Sequence, residues 1–131
     1  MIVRCGGGAN HRAGLYDAIL VKENHLRIAG GIAAAVATLN GSGNVEVEAE
    51  TLEQLQEALD AGVGRILLDN MSPEEVAQAV TLTAGRAELE ASGGISLATV
   101  RSYAETGVDF ISVGALTHGA RSLHVSLEVL D

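Results

Sequence analysis

A strand–helix unit repeats along most of this 131-residue chain, and the repeat limits the possible fold more than any other feature. Four short apolar segments typical of buried strands follow one another, at residues 45–49, 65–68, 87–91 and 110–113. Residues 45, 66, 89 and 111, one in each segment, are separated by 21, 23 and 22 residues. Because parallel strands need a crossover, usually a right-handed helical one, this spacing predicts an α/β fold with a parallel sheet.

Capping signals divide the intervals between these strands into helices. Thr51 with Gln54 three residues later forms a capping-box pattern, Ser72 precedes a proline at the first helical position, and Ser96 is expected to cap a third helix. Three glycines stand where a left-handed residue would end each helix: Gly62, Gly85 and Gly107. Each interval therefore predicts one helix with a defined start and end.

The two ends of the chain extend the same pattern. Residues 2–5 and 18–22 are predicted to be strands, and residues 32–39 form an alanine-rich helix. Residues 123–129 predict either a closing strand or a short helix followed by a strand. The sequence thus predicts six or seven mainly parallel strands in a single domain over residues 1–131. A complete eight-stranded barrel takes about 250 residues, so the expected fold is an incomplete TIM-like α/β barrel or an open parallel sheet.

Charge and composition exclude several classes of function. The formal net charge is −9, from 17 acidic and 8 basic side chains, and aromatic residues make up 2% of the chain. Nucleic-acid surfaces need clustered basic residues and often aromatic platforms, so we expect no nucleic-acid partner. The apolar runs are too short for a membrane span, and we expect no secretory leader. With Cys5 as the only cysteine, these features predict a cytoplasmic protein without disulfides.

Polar residues stand at the predicted carboxyl ends of the strands, the edge where parallel α/β folds bind ligands. They are Lys22 (the only lysine), Glu48, Asp69, the Ser92-Gly93-Gly94 turn and Gly114. The glycine turns predict a phosphate-binding cradle, because glycine lets backbone N–H groups approach phosphate oxygens. An ordinary tight turn is the alternative for residues 92–94, and a turn before a helix is the alternative for Asp69.

Three glutamates alternate along the third predicted strand and therefore share one face: Glu46, Glu48 and Glu50. An exposed edge strand would explain them without any function. In an interior strand, buried carboxylates need cations, and the candidates are Lys22, Arg4 and Arg12.

A glycine-rich segment at residues 5–12, CGGGANHR, delivers His11 and Arg12 side by side. The segment is either a simple loop or a binding loop for a planar anionic substrate, since a guanidinium binds a carboxylate bidentately. The remaining histidines, at positions 25, 118 and 124, have no spacing that suggests a metal site.

Five stretches of the chain together resemble the C-terminal barrel domain of quinolinate phosphoribosyltransferase (nicotinate-nucleotide pyrophosphorylase, carboxylating). They are CGGGANHRAGLYDAILVKENH, VEVEAETLEQLQEALDAG, ILLDNMSPEE, LEASGGIS and GVDFISVGALTH, and they occur in the family's order over nearly the whole chain. The resemblance implies an incomplete α/β barrel in NAD biosynthesis. Its reaction would convert quinolinate and phosphoribosyl pyrophosphate to nicotinate mononucleotide, pyrophosphate and CO₂, with Mg²⁺ as cofactor.

The resemblance also implies roles for individual residues. His11 and Arg12 would hold the quinolinate carboxylates, and Lys22 would meet the phosphoribosyl donor. Glu48 and Asp69 would bind the ribose hydroxyls and Mg²⁺, and with Lys22 they form the expected catalytic set. The 5′-phosphate would lie against the four residues of the cradle: Ser92, Gly93, Gly94 and Gly114.

The sequence also departs from the family. The family's N-terminal domain and the Arg-Lys-Thr segment of its first barrel strand have no counterpart in these 131 residues. We therefore expect weak or no turnover from this chain alone. A non-catalytic truncated or engineered barrel scaffold that keeps a phosphate site is the alternative. Uncovered sheet edges favour a homo-oligomer, most simply a dimer.

Overall fold

A computed structural model describes residues 2–11, 18–39, 43–119 and 125–127 of the chain. Its centre is one parallel sheet of five strands whose spatial order equals their order in the chain. The strands are β1 (Ile19–Val21), β2 (Val45–Ala49), β3 (Arg65–Asp69), β4 (Glu88–Ser92) and β5 (Phe110–Ile111). Because each crossover advances by one strand, the sheet has the connectivity of part of an α/β barrel wall. The predicted fold class is confirmed.

Seven helices accompany the strands within the described residues. They are α1 (Ile2–Cys5), α2 (Glu23–Ala29), α3 (Ile32–Thr38), α4 (Leu52–Asp60), α5 (Pro73–Thr83), α6 (Val100–Ala104) and α7 (Ala115–His118). The predicted caps of α4 and α5 are confirmed. The Thr51 hydroxyl accepts from the Gln54 N–H at 3.2 Å, and Ser72 and Glu75 form a complete capping box. Both helices end beside a glycine with positive φ, Gly62 and Gly85.

The N-terminal segment 2–5 is a short helix, so its prediction as a strand is wrong. The Val3 carbonyl accepts from the N–H groups of Gly6 and Gly8, which closes the turn on itself. A strand would need a neighbour to receive these bonds. Local bonding to a glycine-rich segment satisfies them instead.

Two further helix boundaries differ from the sequence prediction. Helix α2 was not predicted; it ends at Gly30, whose φ of 88° breaks the chain between α2 and α3. Helix α6 begins at Val100 with Thr99 as its N-cap; the Ser96 carbonyl accepts from the N–H groups of Thr99 and Val100, so the predicted cap at Ser96 stands before a turn at 97–99.

The described residues hold five strands, where the sequence predicted six or seven. The helix at 2–5 removes one of them. Most of the predicted closing segment, residues 123–129, lies outside the described residues, and the described part of it, 125–127, has no regular secondary structure.

The two faces of the sheet differ in chemistry. Apolar side chains such as Val47, Ile66 and Leu89 pack against the helices with Leu55 and Val76, and each is at most 2% exposed. The opposite face of the same strands carries buried glutamates: Glu46, Glu48 and Glu90. A buried polar face of this kind is where a ligand site would be built. None of the helices in the described ranges is long and apolar enough to cross a membrane.

Candidate functional site

The carboxyl edge of the sheet begins with an ion pair between two neighbouring strands. Lys22 follows β1, and its Nζ donates to Glu48 Oε2 of β2 at 3.0 Å. The Glu48 side chain is 10% exposed, whereas Lys22 is 55% exposed. The structure thus gives a nearly buried carboxylate the cation it needs and leaves part of the lysine open to a ligand.

The carboxylate of this ion pair lies close to two others. Glu48, Glu50 and Asp69 each place an oxygen within 4.8 Å of the others. Burial, and then the neighbouring charge of Glu48, raises the pKa of Asp69, although Lys22 and Asn70 act in the opposite direction. Such a set of hard oxygen ligands fits Mg²⁺. Sequence reasoning placed Glu48 and Asp69 here but gave Glu50 no role, although its alternation with Glu48 was visible.

Asn70 links the ends of β3 and β4. Its backbone N–H donates to the Ser92 carbonyl at 2.9 Å, and its side-chain Nδ2 donates to Asp69 Oδ2 at 2.6 Å. Its φ of 57° lies in the left-handed region, which asparagine tolerates better than most residues. The Asp69 carboxylate and the following glycine turn are therefore held by one residue.

The turn after β4 is the predicted phosphate cradle. Gly93 and Gly94 have φ of 97° and 61°, and both border a cavity of about 840 Å³ with Ser92, Gly114 and His11. A Cβ on Gly93 would lie 2.7 Å from the backbone nitrogen of Asn70, so this position requires glycine. Helix α6 begins only at Val100, so its N-terminus does not follow the turn directly as the sequence suggested.

A second charged group lies on the same face, nearer the amino ends of the strands. His11 Nε2 lies 3.2 Å from Glu46 Oε2 and 3.3 Å from Glu90 Oε1. Arg65 of β3 lies between the two carboxylates, with Nη2 at 2.7 Å from Glu90 Oε2 and Nε at 3.4 Å from Glu46 Oε1. The guanidinium also lies over the Phe110 ring, 4.3 Å from its centroid.

These contacts correct the predicted cations for the glutamates. Glu46 is paired by Arg65 and His11; Arg4 forms none of the ion pairs found among the described residues, and Arg12 lies outside them. Sequence reasoning missed Arg65 and Glu90. The alternation of polar and apolar residues on β4 could have indicated Glu90. The position of Arg65 between β2 and β4 follows only from the strand register.

Two other histidines, His25 and His118, lie within the described ranges. His25 Nδ1 accepts from the Lys22 N–H at 3.0 Å at the start of α2. Within the described ranges, neither His25 nor His118 belongs to a group of potential metal ligands. His124 lies outside those ranges.

Comparison with known proteins identifies the family. The model for the C-terminal domain of quinolinate phosphoribosyl transferase matches residues 1–128. The chain belongs to this family. A probable carboxylating nicotinate-nucleotide pyrophosphorylase of Bacillus subtilis is 45% identical over 131 residues, which cover 97% of this chain and 45% of that protein.

Solved structures agree on both family and fold. The crystal structure of NadC from Streptococcus pyogenes matches with a TM-score of 0.87 at 44% identity, covering 98% of this chain and 48% of that one. A nicotinate-nucleotide pyrophosphorylase from Francisella tularensis has a TM-score of 0.83 at 51% identity, over 88% of this chain and 42% of that one. The chain thus spans a little under half the length of these relatives.

Proposed function

We propose that this chain forms the phosphoribosyl-transfer site of a quinolinate phosphoribosyltransferase. The reaction would join the quinolinate nitrogen to C1 of phosphoribosyl pyrophosphate, release pyrophosphate and CO₂, and leave nicotinate mononucleotide. The observation that carries the proposal is the carboxyl edge itself. It brings the Lys22–Glu48 pair, the Asp69 carboxylate and the glycine turn together on consecutive strands.

The cradle at Ser92, Gly93, Gly94 and Gly114 would hold the 5′-phosphate. Gly93 and Gly94 have positive φ and border the same cavity as Gly114. Because glycine has no side chain, the backbone N–H groups of these turns are accessible to phosphate oxygens. Support for the cradle therefore comes from backbone geometry, with no basic side chain required.

Glu48 and Asp69, with Glu50 beside them, would hold Mg²⁺ and the ribose hydroxyls. Burial, and then the charge of Glu48, raises the pKa of Asp69, and a bound divalent cation would favour its ionised form. When bound, Mg²⁺ neutralises the charge that develops on departing pyrophosphate. The carboxylates themselves stabilise positive charge at the ribose carbon as the bond to pyrophosphate breaks.

Three basic residues would contact the two substrates. Lys22 is half-exposed beside Glu48 and would contact the pyrophosphate of the donor. His11, which borders the same cavity as the cradle, and Arg12 would bind the carboxylates of quinolinate. The charges of both substrates are thereby opposed by side chains from different parts of the chain.

We further propose a cytoplasmic location and a homodimer for this chain. The single cysteine motivates the location, because a chain with one cysteine forms no internal disulfide and suits a reducing compartment. Within the described residues, the outer edges of β1 and β5 have no partner strand, and Leu97 and Leu116 are 91% and 63% exposed. Open strand edges and apolar side chains both favour pairing between copies.

Calorimetric titration with phosphoribosyl pyrophosphate and Mg²⁺, then with quinolinate, tests the proposal. We expect the donor to bind wild-type chain and to lose about tenfold or more in affinity on Lys22→Ala or Asp69→Asn. Arg27→Ala and Asp60→Asn are matched controls, since both side chains are exposed and lie on helices away from the edge.

A turnover assay with both substrates separates the enzyme from the alternative. Donor binding without product formation would favour the non-catalytic scaffold that keeps a phosphate site. Absence of donor binding, with or without Mg²⁺, would contradict the proposed function.

A further inference from the structure

Glu90 is a buried polar side chain on the glutamate-bearing face of the sheet, and it contacts three other parts of the chain. It is 2% exposed on the central part of β4. Arg65 Nη2 donates to its Oε2, and the Ser112 hydroxyl donates to its Oε1. The same Oε1 lies 3.3 Å from His11 Nε2. One buried carboxylate therefore connects β3, the residue after β5 and the glycine-rich N-terminal segment.

The contacts of His11 bridge two strands that are not neighbours in the sheet. Glu46 lies on β2 and Glu90 on β4, with β3 between them. Both carboxylates lie close to Nε2, at 3.2 Å and 3.3 Å, so their charge orients this nitrogen of the ring toward the space between the two strands.

His11 borders two cavities. One is the cavity of the cradle, and the other, of about 680 Å³, reaches the amino ends of the strands at Gly64 and Arg65. The backbone hydrogen bond of the segment that precedes it is local: the Gly8 N–H donates to the Val3 carbonyl of α1.

We propose that Glu90, together with Glu46, is a positioning residue that anchors His11 and thereby holds the glycine-rich segment 6–11 across the barrel interior. Arg65 keeps both carboxylates close to each other in spite of their like charges. In its consequence for quinolinate binding, the proposal rests on the proposed function.

Amide hydrogen exchange in Glu90→Gln tests the anchoring without any substrate. The change keeps the shape of the side chain but removes the charge that attracts His11. We expect exchange at the amides of Gly6, Gly7 and Gly8, which are hydrogen-bonded in the turn after α1, to accelerate at least about fivefold. Glu88→Gln is the matched control: it lies on the same strand and 3.8 Å from Arg65, but its side chain is 59% exposed. Equal exchange in the two variants would overturn the proposal.

His11→Ala provides a second test that does not depend on how Glu90→Gln folds. It leaves the bonds of Glu90 to Arg65 and Ser112 in place, and we expect it to accelerate exchange in the same segment. Combined with Glu90→Gln it should add little, because both changes break one bridge. Unchanged exchange in His11→Ala, or fully additive effects, would contradict the anchoring.

Ligand affinity connects the anchor to the site. We expect Glu90→Gln and His11→Ala each to weaken quinolinate binding about tenfold. Glu90→Gln should change donor affinity less than about twofold. A loss of donor affinity as large as that of quinolinate would indicate general disruption and overturn the positioning role. If wild-type chain binds neither ligand, the proposed function fails, while the exchange experiment still decides the anchoring.

Discussion

Replacing Gly93 by alanine tests the geometry of the cradle, with Gly94→Ala as its matched control. Both glycines have positive φ, and alanine in that region costs about 1–2 kcal/mol. The surroundings differ. A Cβ at position 94 meets nothing within 4 Å, whereas at position 93 it lies 2.7 Å from the Asn70 nitrogen and 2.8 Å from Asn70 Cγ.

The overlap at position 93 must displace Asn70. That movement weakens the bond from its N–H to the Ser92 carbonyl, worth about 1 kcal/mol, and forces its side chain from a favourable rotamer for about another 1 kcal/mol. We therefore expect Gly93→Ala to lower the free energy of unfolding by about 3–4 kcal/mol, against about 1–2 kcal/mol for Gly94→Ala. In thermal unfolding the first should lower Tm by about 10 °C.

Urea unfolding followed by circular dichroism measures both free energies, and a phosphate titration of the folded variants adds a functional readout. Gly93→Ala should also weaken phosphate binding because the displaced Asn70 supports the turn. Equal losses of stability in the two variants would refute the reasoning, since it depends on the difference in space.

Three further predictions concern stability and assembly. Leu55→Ala, at a side chain with no exposed surface, should cost about 2–5 kcal/mol in urea unfolding, whereas Leu97→Ala, 91% exposed, should change stability by less than about 0.5 kcal/mol. The Ser72 N–H and hydroxyl lower the pKa of Glu75, so its contribution to stability is present above the unfolded pKa and is lost as pH falls through the lower folded value. Glu75→Gln should therefore lose less stability between pH 7 and pH 3 than wild type does, while Glu74→Gln should behave like wild type; identical pH profiles for all three would contradict this. Sedimentation equilibrium at micromolar concentration should show a dimer, and a single 13.4 kDa species would exclude it.

Strands and helices with strong local signals were predictable. The apolar segments around Val47, Ile66 and Leu89 became β2, β3 and β4, and the Ser72-Pro73 cap fixed the start of α5. The strand prediction for residues 2–5 was wrong because a short apolar run has no periodicity that separates strand from helix. The backbone bonds to Gly6 and Gly8 decide that case, and their geometry is not visible in residue types.

The candidate site divides in the same way. Lys22, Glu48, Asp69 and the glycine turn could be placed because parallel strands bring their carboxyl ends to one edge. The Arg65–Glu90–His11 contacts could not, since they depend on strand register and on where a glycine-rich segment returns to the sheet.

An amide-shift titration with phosphoribosyl pyrophosphate and Mg²⁺ tests the central claim most directly, because it reports where the donor binds. We expect saturable amide shifts at Gly93, Gly94 and Gly114, with further shifts near Glu48 and Asp69. Amides at the amino ends of the strands, such as that of Gly64, should change little. Saturable shifts confined to other parts of the chain, with the three cradle glycines unmoved, would contradict the claim.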